Sequence, residues 1–252
     1  MYENEIAIAI KASIRAGDYL RERKSISVDS QIGRDVKLSA DKESESIILN
    51  ILRETGIPIL SEESGFIGDT GERYWIVDPL DGTMNYLRGL TDLSCVSIAL
   101  WEKGLPRIGV INQFSTGQLF HGIVDVGAYC NGISVYPSSV KKTDEAIIAT
   151  GFPVARNYSD KSLSQFVKLV QNFKKVRMLG SAALMGVYIA TGTLDAYFEE
   201  GIMHWDVAAS MAIVKAAGGA VSYEPLDKYK CICGLFATQE LLDDYKRFNS
   251  FV

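Results

Sequence analysis

Tyr74, Trp75, Ile76 and Val77 run directly into Asp78-Pro79-Leu80-Asp81-Gly82-Thr83. Consecutive apolar positions predict a strand covered on both faces. Asp78 and Asp81 therefore sit where a buried strand ends and a tight loop begins. Pro79 biases Asp78 toward extended backbone and holds its side chain in one direction. Gly82 permits a turn that aims backbone N–H groups into the loop. A second short apolar run, residues 57–60, ends in the same way, in Ser61-Glu62-Glu63-Ser64. Carboxylates crowded at the exits of adjacent buried strands repel one another, and such a set persists where cations neutralise it. Oxygen-only donors suit hard ions such as Mg2+ or Mn2+. Two such ions a few ångströms apart are a common apparatus for displacement at phosphorus. The competing interpretation is plain turn chemistry, because Asp-Pro and Asp-Gly are common turn dipeptides. A calcium-binding helix–loop–helix is excluded, since the loop lacks the required order of acids and a Glu twelve positions on.

Around this segment the elements come in blocks. Residues 3–23 carry Ile6, Ala7, Ile10, Ile14 and Leu20 near helical spacing, and residues 41–55 put Ile47, Ile48, Ile51 and Leu52 on one face. Gly56-Ile57-Pro58 ends that second helix. Residues 24–37 are polar and of mixed charge, a mobile loop or a weak hairpin. Strands are predicted at 57–60, 74–77, 93–101, 108–114, 118–124, 146–150, 175–179, 195–199 and 220–223. Helices are predicted at 162–173, 182–190 and 207–217. Blocks rather than strict alternation favour a layered α+β architecture over a doubly wound sheet. There is no internal repeat and no low-complexity linker, and the 252 residues read as one domain spanning 1–252.

Composition narrows the function. Hydrophobic residues are 47% of the chain and charged residues 23%, enough for a core without disulfides or metal staples. The net charge of −5, with no run of five Lys or Arg, argues against a nucleic-acid binder. No apolar stretch approaches the roughly 18 residues of a membrane span. The acidic start Tyr2-Glu3-Asn4-Glu5 reads as no secretory signal. The cysteines Cys95, Cys130, Cys231 and Cys233 do not follow paired zinc-ligand spacing and read as reduced thiols of a cytoplasmic protein. His121 and His204 are the only histidines, so a site built on several imidazoles is excluded by counting.

Two later segments add to the set. Asp206 opens an apolar helix in His204-Trp205-Asp206-Val207, where an N-cap is the simpler explanation. Gly180-Ser181-Ala182-Ala183 also precedes a helix, and its N–H groups suit an anion or a sugar hydroxyl.

Together these segments resemble the inositol monophosphatase family of Mg2+-dependent, lithium-sensitive sugar-phosphate phosphatases. The matches are S-E-E-S at 61–64, W-I-V-D-P-L-D-G-T-M-N-Y at 75–86, G-S-A-A-L at 180–184, G-T-L-D-A-Y-F-E at 192–199 and H-W-D-V-A-A at 204–209. Their order and spacing match the family over nearly the whole chain. The resemblance implies a layered α-β-α-β-α sandwich of the inositol monophosphatase and fructose-1,6-bisphosphatase type. It implies two or three Mg2+ ions, with Mn2+ as a possible substitute. Glu62, Asp78 and the Leu80 carbonyl would bind the first ion, and Asp78, Asp81 and Asp206 the second, with a third, weaker ion near Glu62.

Glu62, Asp41 and Thr83 are the implied catalytic residues. Thr83 stands where the family pairs a hydroxyl with an aspartate to orient and deprotonate the attacking water. That aspartate falls in V-K-L-S-A-D at 36–41, although Asp41 is equally readable as a helix N-cap. Glu63 is expected to support the ligands rather than be one. Substrate contacts are implied for Asp81, Gly82, Thr83, Ser181, Ala182, Glu199 and Asp206. Gly82 and Thr83 would offer N–H groups to phosphate, and Ser181, Ala182 and Glu199 would face the polyol. The implied mechanism is direct in-line attack by metal-activated water, with no phosphoenzyme.

The chain departs from the pattern at Met84 and Arg88, where the family often has a small residue or Thr and a His. Arg88 suits either a second anionic group or a surface ion pair. Lys24, Arg34 and Lys37 are all candidates for charge near the phosphate. The favoured substrate is inositol monophosphate, with fructose 1,6-bisphosphate, 3′-phosphoadenosine 5′-phosphate and histidinol phosphate as alternatives. A phosphorylated small molecule is the expected partner, with no nucleic acid and no membrane, and a homodimer the expected assembly. A catalytically silent metal- or ligand-binding homologue is the non-enzyme alternative.

Overall fold

The computed structural model describes residues 2–23, 27–32, 35–69, 71–152 and 157–248. The chain opens with helix α1 (Glu3–Glu22), a hairpin of β1 (Val28–Ile32) and β2 (Asp35–Leu38), and helix α2 (Ser39–Leu52). An eight-stranded sheet follows. Its strands are β3 (Ile59–Ser61), β4 (Gly65–Ile67), β5 (Arg73–Asp81), β6 (Cys95–Glu102), β7 (Leu105–Gln113), β8 (Gln118–Ile123), β9 (Gly127–Cys130) and β10 (Ile133–Ser134), with the short helix α3 (Thr83–Leu87) between β5 and β6. They lie in the order β10-β9-β8-β7-β6-β5-β3-β4. The rest of the chain contributes β11 (Ile147–Ala149), α4 (Asp160–Val170), β12 (Lys175–Arg177), α5 (Ala182–Ala190), β13 (Ala196–Met203), α6 (His204–Ala216), β14 (Ala220–Pro225), β15 (Lys230–Phe236) and α7 (Gln239–Lys246). Its five strands form a second sheet in the order β12-β11-β13-β15-β14.

The layers follow from which faces are apolar. Along β5, Trp75 and Val77 pack with α1 and α2, while Ile76 between them packs with α5 and α6. A strand buried on both faces needs a helical layer on each side. Ala9, Ala12 and Ala16 of α1 are fully buried and let the first pair of helices lie close to the sheet. On the other side α6 crosses β7 at Gly109, where a Cβ would lie 2.1 Å from the Ala209 carbonyl oxygen, so only glycine admits the helix. Helices α5 and α6 are apolar nearly all round because the smaller sheet covers their far side. That sheet is covered in turn by α7, whose Tyr245 ring sits 5.4 Å from Phe198 and 5.0 Å from Phe236. The result is the expected layered α+β sandwich.

Several local expectations shift. Helix α2 begins at Ser39 and α6 at His204, each earlier than predicted. The described part of 24–37 forms an antiparallel hairpin. β15, the strand between β13 and β14, and α7 were not predicted at all.

Candidate active site

The topology sets the acids side by side. β3 runs parallel to β5, with Leu60 opposite Ile76 and Ser61 opposite Val77. Glu62 and Asp78 come next at the same edge, Glu62 just past the end of β3 and Asp78 still within β5, opposite Ser97 of β6. β5 then pairs with β6 through an irregularity between Asp78 and Asp81. Gly82 ends the strand at φ +84°, and a Cβ there would meet the Leu93 carbonyl oxygen at 2.5 Å. The turn is closed by Asn85, whose Nδ2 donates to Leu93 O and Leu179 O at 2.8 Å each. One side chain thus ties the 82–85 turn to the segment that enters α5.

Asp81 points at the start of α5. Its Oδ2 accepts from the Ser181 hydroxyl at 2.5 Å and the Ala183 N–H at 2.8 Å. Ser181 is also the N-cap of α5, accepting from Leu184 N at 3.3 Å. Asp206 arrives from the smaller sheet's side, in the first turn of α6. Neither Asp41 nor Asp206 is a helix N-cap, since the caps are Leu38 and Met203. Asp41 reaches back to accept from Leu38 N at 2.7 Å with one oxygen, and takes the Thr83 hydroxyl at 3.2 Å with the other. The Thr83 Oγ1 also lies 3.0 Å from Leu80 O.

A cavity of about 610 Å³ opens over this edge. Glu62, Asp81, Gly82, Thr83, Ser181, Ala182, Glu199 and Asp206 all line it. Asp41, Asp78 and Leu80 lie beneath its wall, each almost wholly buried. Of the basic candidates, Lys37 lines the cavity and pairs with Glu63 at 2.8 Å. Lys24 and Arg34 lie outside the described residues. Arg88 is exposed at the end of α3, off the cavity. Lining residues that the sequence did not single out include Phe152, Met185, Met203, Trp205 and Lys230. Phe152 follows β11, Met185 lies in α5, Met203 and Lys230 are strand ends, and Trp205 sits in the first turn of α6 beside Asp206; only the folding of the chain brings these segments together.

Burial and mutual repulsion hold the acids in a strained charge state. Burial, then Glu62, Asp81 and Asp206, push Asp78 well above the usual carboxylate range. Burial, then Asp81, Glu62 and Glu199, do the same to Asp206. Burial and the neighbouring Glu63 raise Glu62 to about 8, against the pull of Lys37. Burial raises Asp81 and Asp41 to about 6 each, against the donors that face them. The acids are near enough to raise one another, yet no three His, Cys, Asp or Glu side chains among the described residues form a preformed ion cage. The donor chemistry fits a hard ion such as Mg2+: carboxylates and one carbonyl, with the Cys95 sulfur 3.8 Å from Asp81 Oδ2 kept as a thiol by burial and by Asp81.

The chain as a whole is similar to known proteins. The model of the inositol monophosphatase family matches residues 1–224. The chain is 38% identical over 200 residues to inositol-1-monophosphatase of Synechocystis sp., covering 77% of this chain and 69% of that protein. It is 33% identical over 223 residues to Nus factor SuhB of Escherichia coli, covering 85% of this chain and 83% of that one. Among solved structures, an inositol monophosphatase from Anabaena has a TM-score of 0.85 at 33% identity, covering 98% of this chain and 95% of that one.

Proposed function

The chain belongs to the inositol monophosphatase family, and from that premise we propose that it is a Mg2+-dependent phosphatase that hydrolyses a small phosphate monoester, with inositol monophosphate the favoured substrate. The observation that carries this reading is the convergence of Glu62, Asp81 and Asp206 with the Gly82-Thr83 turn on one cavity, over a buried Asp78. Glu62, Asp78 and the Leu80 carbonyl are the holders of a first ion, and Asp78, Asp81 and Asp206 of a second. Bound there, Mg2+ would neutralise the acids, lower the pKa of the attacking water and stabilise the leaving oxygen.

The chain's own residues do the rest. The first N–H groups of α3, at Gly82 and Thr83, have no partner within their helix and are available to phosphate oxygens. The Thr83 hydroxyl accepts a proton from the attacking water as it passes its own to Asp41. Asp41, raised to about 6, is mostly ionised at neutral pH yet still basic enough to receive it. Asp206, or a water held at the second ion's site, would help protonate the leaving alkoxide. Ser181, the turn at Ala182 and Glu199 take the hydroxyls of the polyol. No cysteine or histidine is needed as a covalent nucleophile, so the phosphoryl group goes directly to water. We also read the molecule as a cytoplasmic homodimer inhibited by Li+.

The test is phosphate release from inositol 1-phosphate, fructose 1,6-bisphosphate, 3′-phosphoadenosine 5′-phosphate and histidinol phosphate, each with Mg2+ or with EDTA. Preferred release from inositol 1-phosphate that EDTA abolishes is expected. Preference for another member of the panel would move the substrate assignment, and no metal-dependent release from any would favour a silent binding homologue.

A further inference from the structure

Helix α2, which carries Asp41, contributes no lining residue to the cavity, yet it touches both acidic loops. Ser44 and Glu45 follow Asp41 at i+3 and i+4, so all three share one face of the helix. The Ser44 hydroxyl donates to the Pro79 carbonyl at 2.7 Å and is fully buried. Glu45 is 6% exposed and accepts from the Ser64 hydroxyl at 2.6 Å and the Ser64 N–H at 3.0 Å. Its charge is met by hydrogen-bond donors of the chain, and it stays outside the cavity.

The Pro79–Leu80 peptide is held from both sides. In a trans peptide the C=O and N–H point in opposite directions. Ser44 takes the carbonyl, and the Leu80 N–H on the opposite side donates to Asp78 Oδ1 at 3.0 Å. Rotation of this plane would take the Leu80 N–H off the Asp78 carboxylate and the Pro79 carbonyl off Ser44. Glu45 holds the other loop two residues beyond Glu62. We propose that Ser44 and Glu45 are positioning residues: through α2 they fix the distance between the Glu62 loop and the Asp78–Asp81 turn, and so set the affinity of the cation site. This rests on the metal reading given above.

The experiment is calorimetric titration of Mg2+ into the metal-free full-length protein, with a thermal melt of each metal-free variant. The variants are Ser44→Ala, Glu45→Gln and Ser44→Thr. Glu45→Gln keeps shape but can accept only one of the two Ser64 bonds, because its amide nitrogen is a donor. Ser44→Ala and Glu45→Gln are expected to raise the Mg2+ Kd by about 10-fold each, the scale typical of groups that support metal ligands. Ser44→Thr keeps the hydroxyl and is expected to bind within about 2-fold of wild type. Wild-type affinity in both Ser44→Ala and Glu45→Gln would overturn the proposal, whether or not their melting temperatures fall. Loss of affinity in Ser44→Thr equal to that in Ser44→Ala would overturn it too, since packing rather than the hydroxyl would then be responsible. A wild-type protein that takes up no Mg2+ would instead sink the metal reading itself.

Discussion

Asp41 shows how one side chain is given two tasks. Its bond from Leu38 N fixes the carboxylate at the head of α2, and its other oxygen faces the Thr83 hydroxyl. Burial raises its pKa to about 6. As a base it works ionised, so kcat should rise as pH passes through about 6 and level off above it. Asp41→Asn and Thr83→Ala are each expected to lower kcat by about 100-fold or more while KM changes by less than about 3-fold. Steady-state kinetics across pH 5 to 8 checks both; a variant that loses KM and keeps kcat would remove Asp41 and Thr83 from the proton path. The sequence made Asp78 and Asp81 legible because they are local, three positions apart on one strand exit. Ser44 and Glu45 were invisible in it, because helical spacing of a Ser and a Glu reads as an ordinary solvated face.

At the scale of elements, the buried strands were readable and the helix starts were not. Leu38 and Met203 occupy the N-cap positions of α2 and α6, and neither side chain can cap. With no capping signal, the predicted starts fell at or just after the first acid of each helix, two residues late in α2 and three in α6. β15 was missed because Gly234 splits its buried run, Cys231–Phe236, and the run follows a charged stretch. α7 has only eight residues, too few for its apolar period to stand out. The turn from β5 into α3 was the best-specified element, since Asp78, Pro79 and Gly82 each constrain it. Gly82→Ala forces a side chain onto positive φ and against Leu93 O. It is expected to cost at least about 1 kcal/mol in stability and to cut phosphate release sharply. Chemical denaturation and initial rates check this; wild-type values for both would mean that the turn tolerates a Cβ.

For the whole molecule, the layered fold carries a cost that only charge neutralisation removes. Glu62 is raised to about 8, and Asp41 and Asp81 to about 6. The folded protein therefore binds more protons than the unfolded chain, where these acids titrate near 4. Where the native state holds the extra protons, stability falls as pH rises. The metal-free protein should lose stability progressively from about pH 4.5 to about pH 8, and saturating Mg2+ should remove most of that slope. Melting temperatures at pH 5.5 and pH 8, with EDTA and with Mg2+, check the sign. A metal-free protein that grows more stable over this range would show that the acids are not held in repulsion.

The central claim is that these acids form a cation site serving hydrolysis at phosphorus. Its most direct test is phosphate release from inositol 1-phosphate as Mg2+ is titrated, with wild type and Asp78→Asn side by side. The account predicts saturable, Mg2+-dependent release by the wild type. Asp78→Asn should stay folded but release phosphate at less than about one-hundredth of that rate at every Mg2+ concentration, given the several kcal/mol that metal-ion catalysis contributes. Mg2+-independent release, or an Asp78→Asn protein as active as wild type, would contradict it.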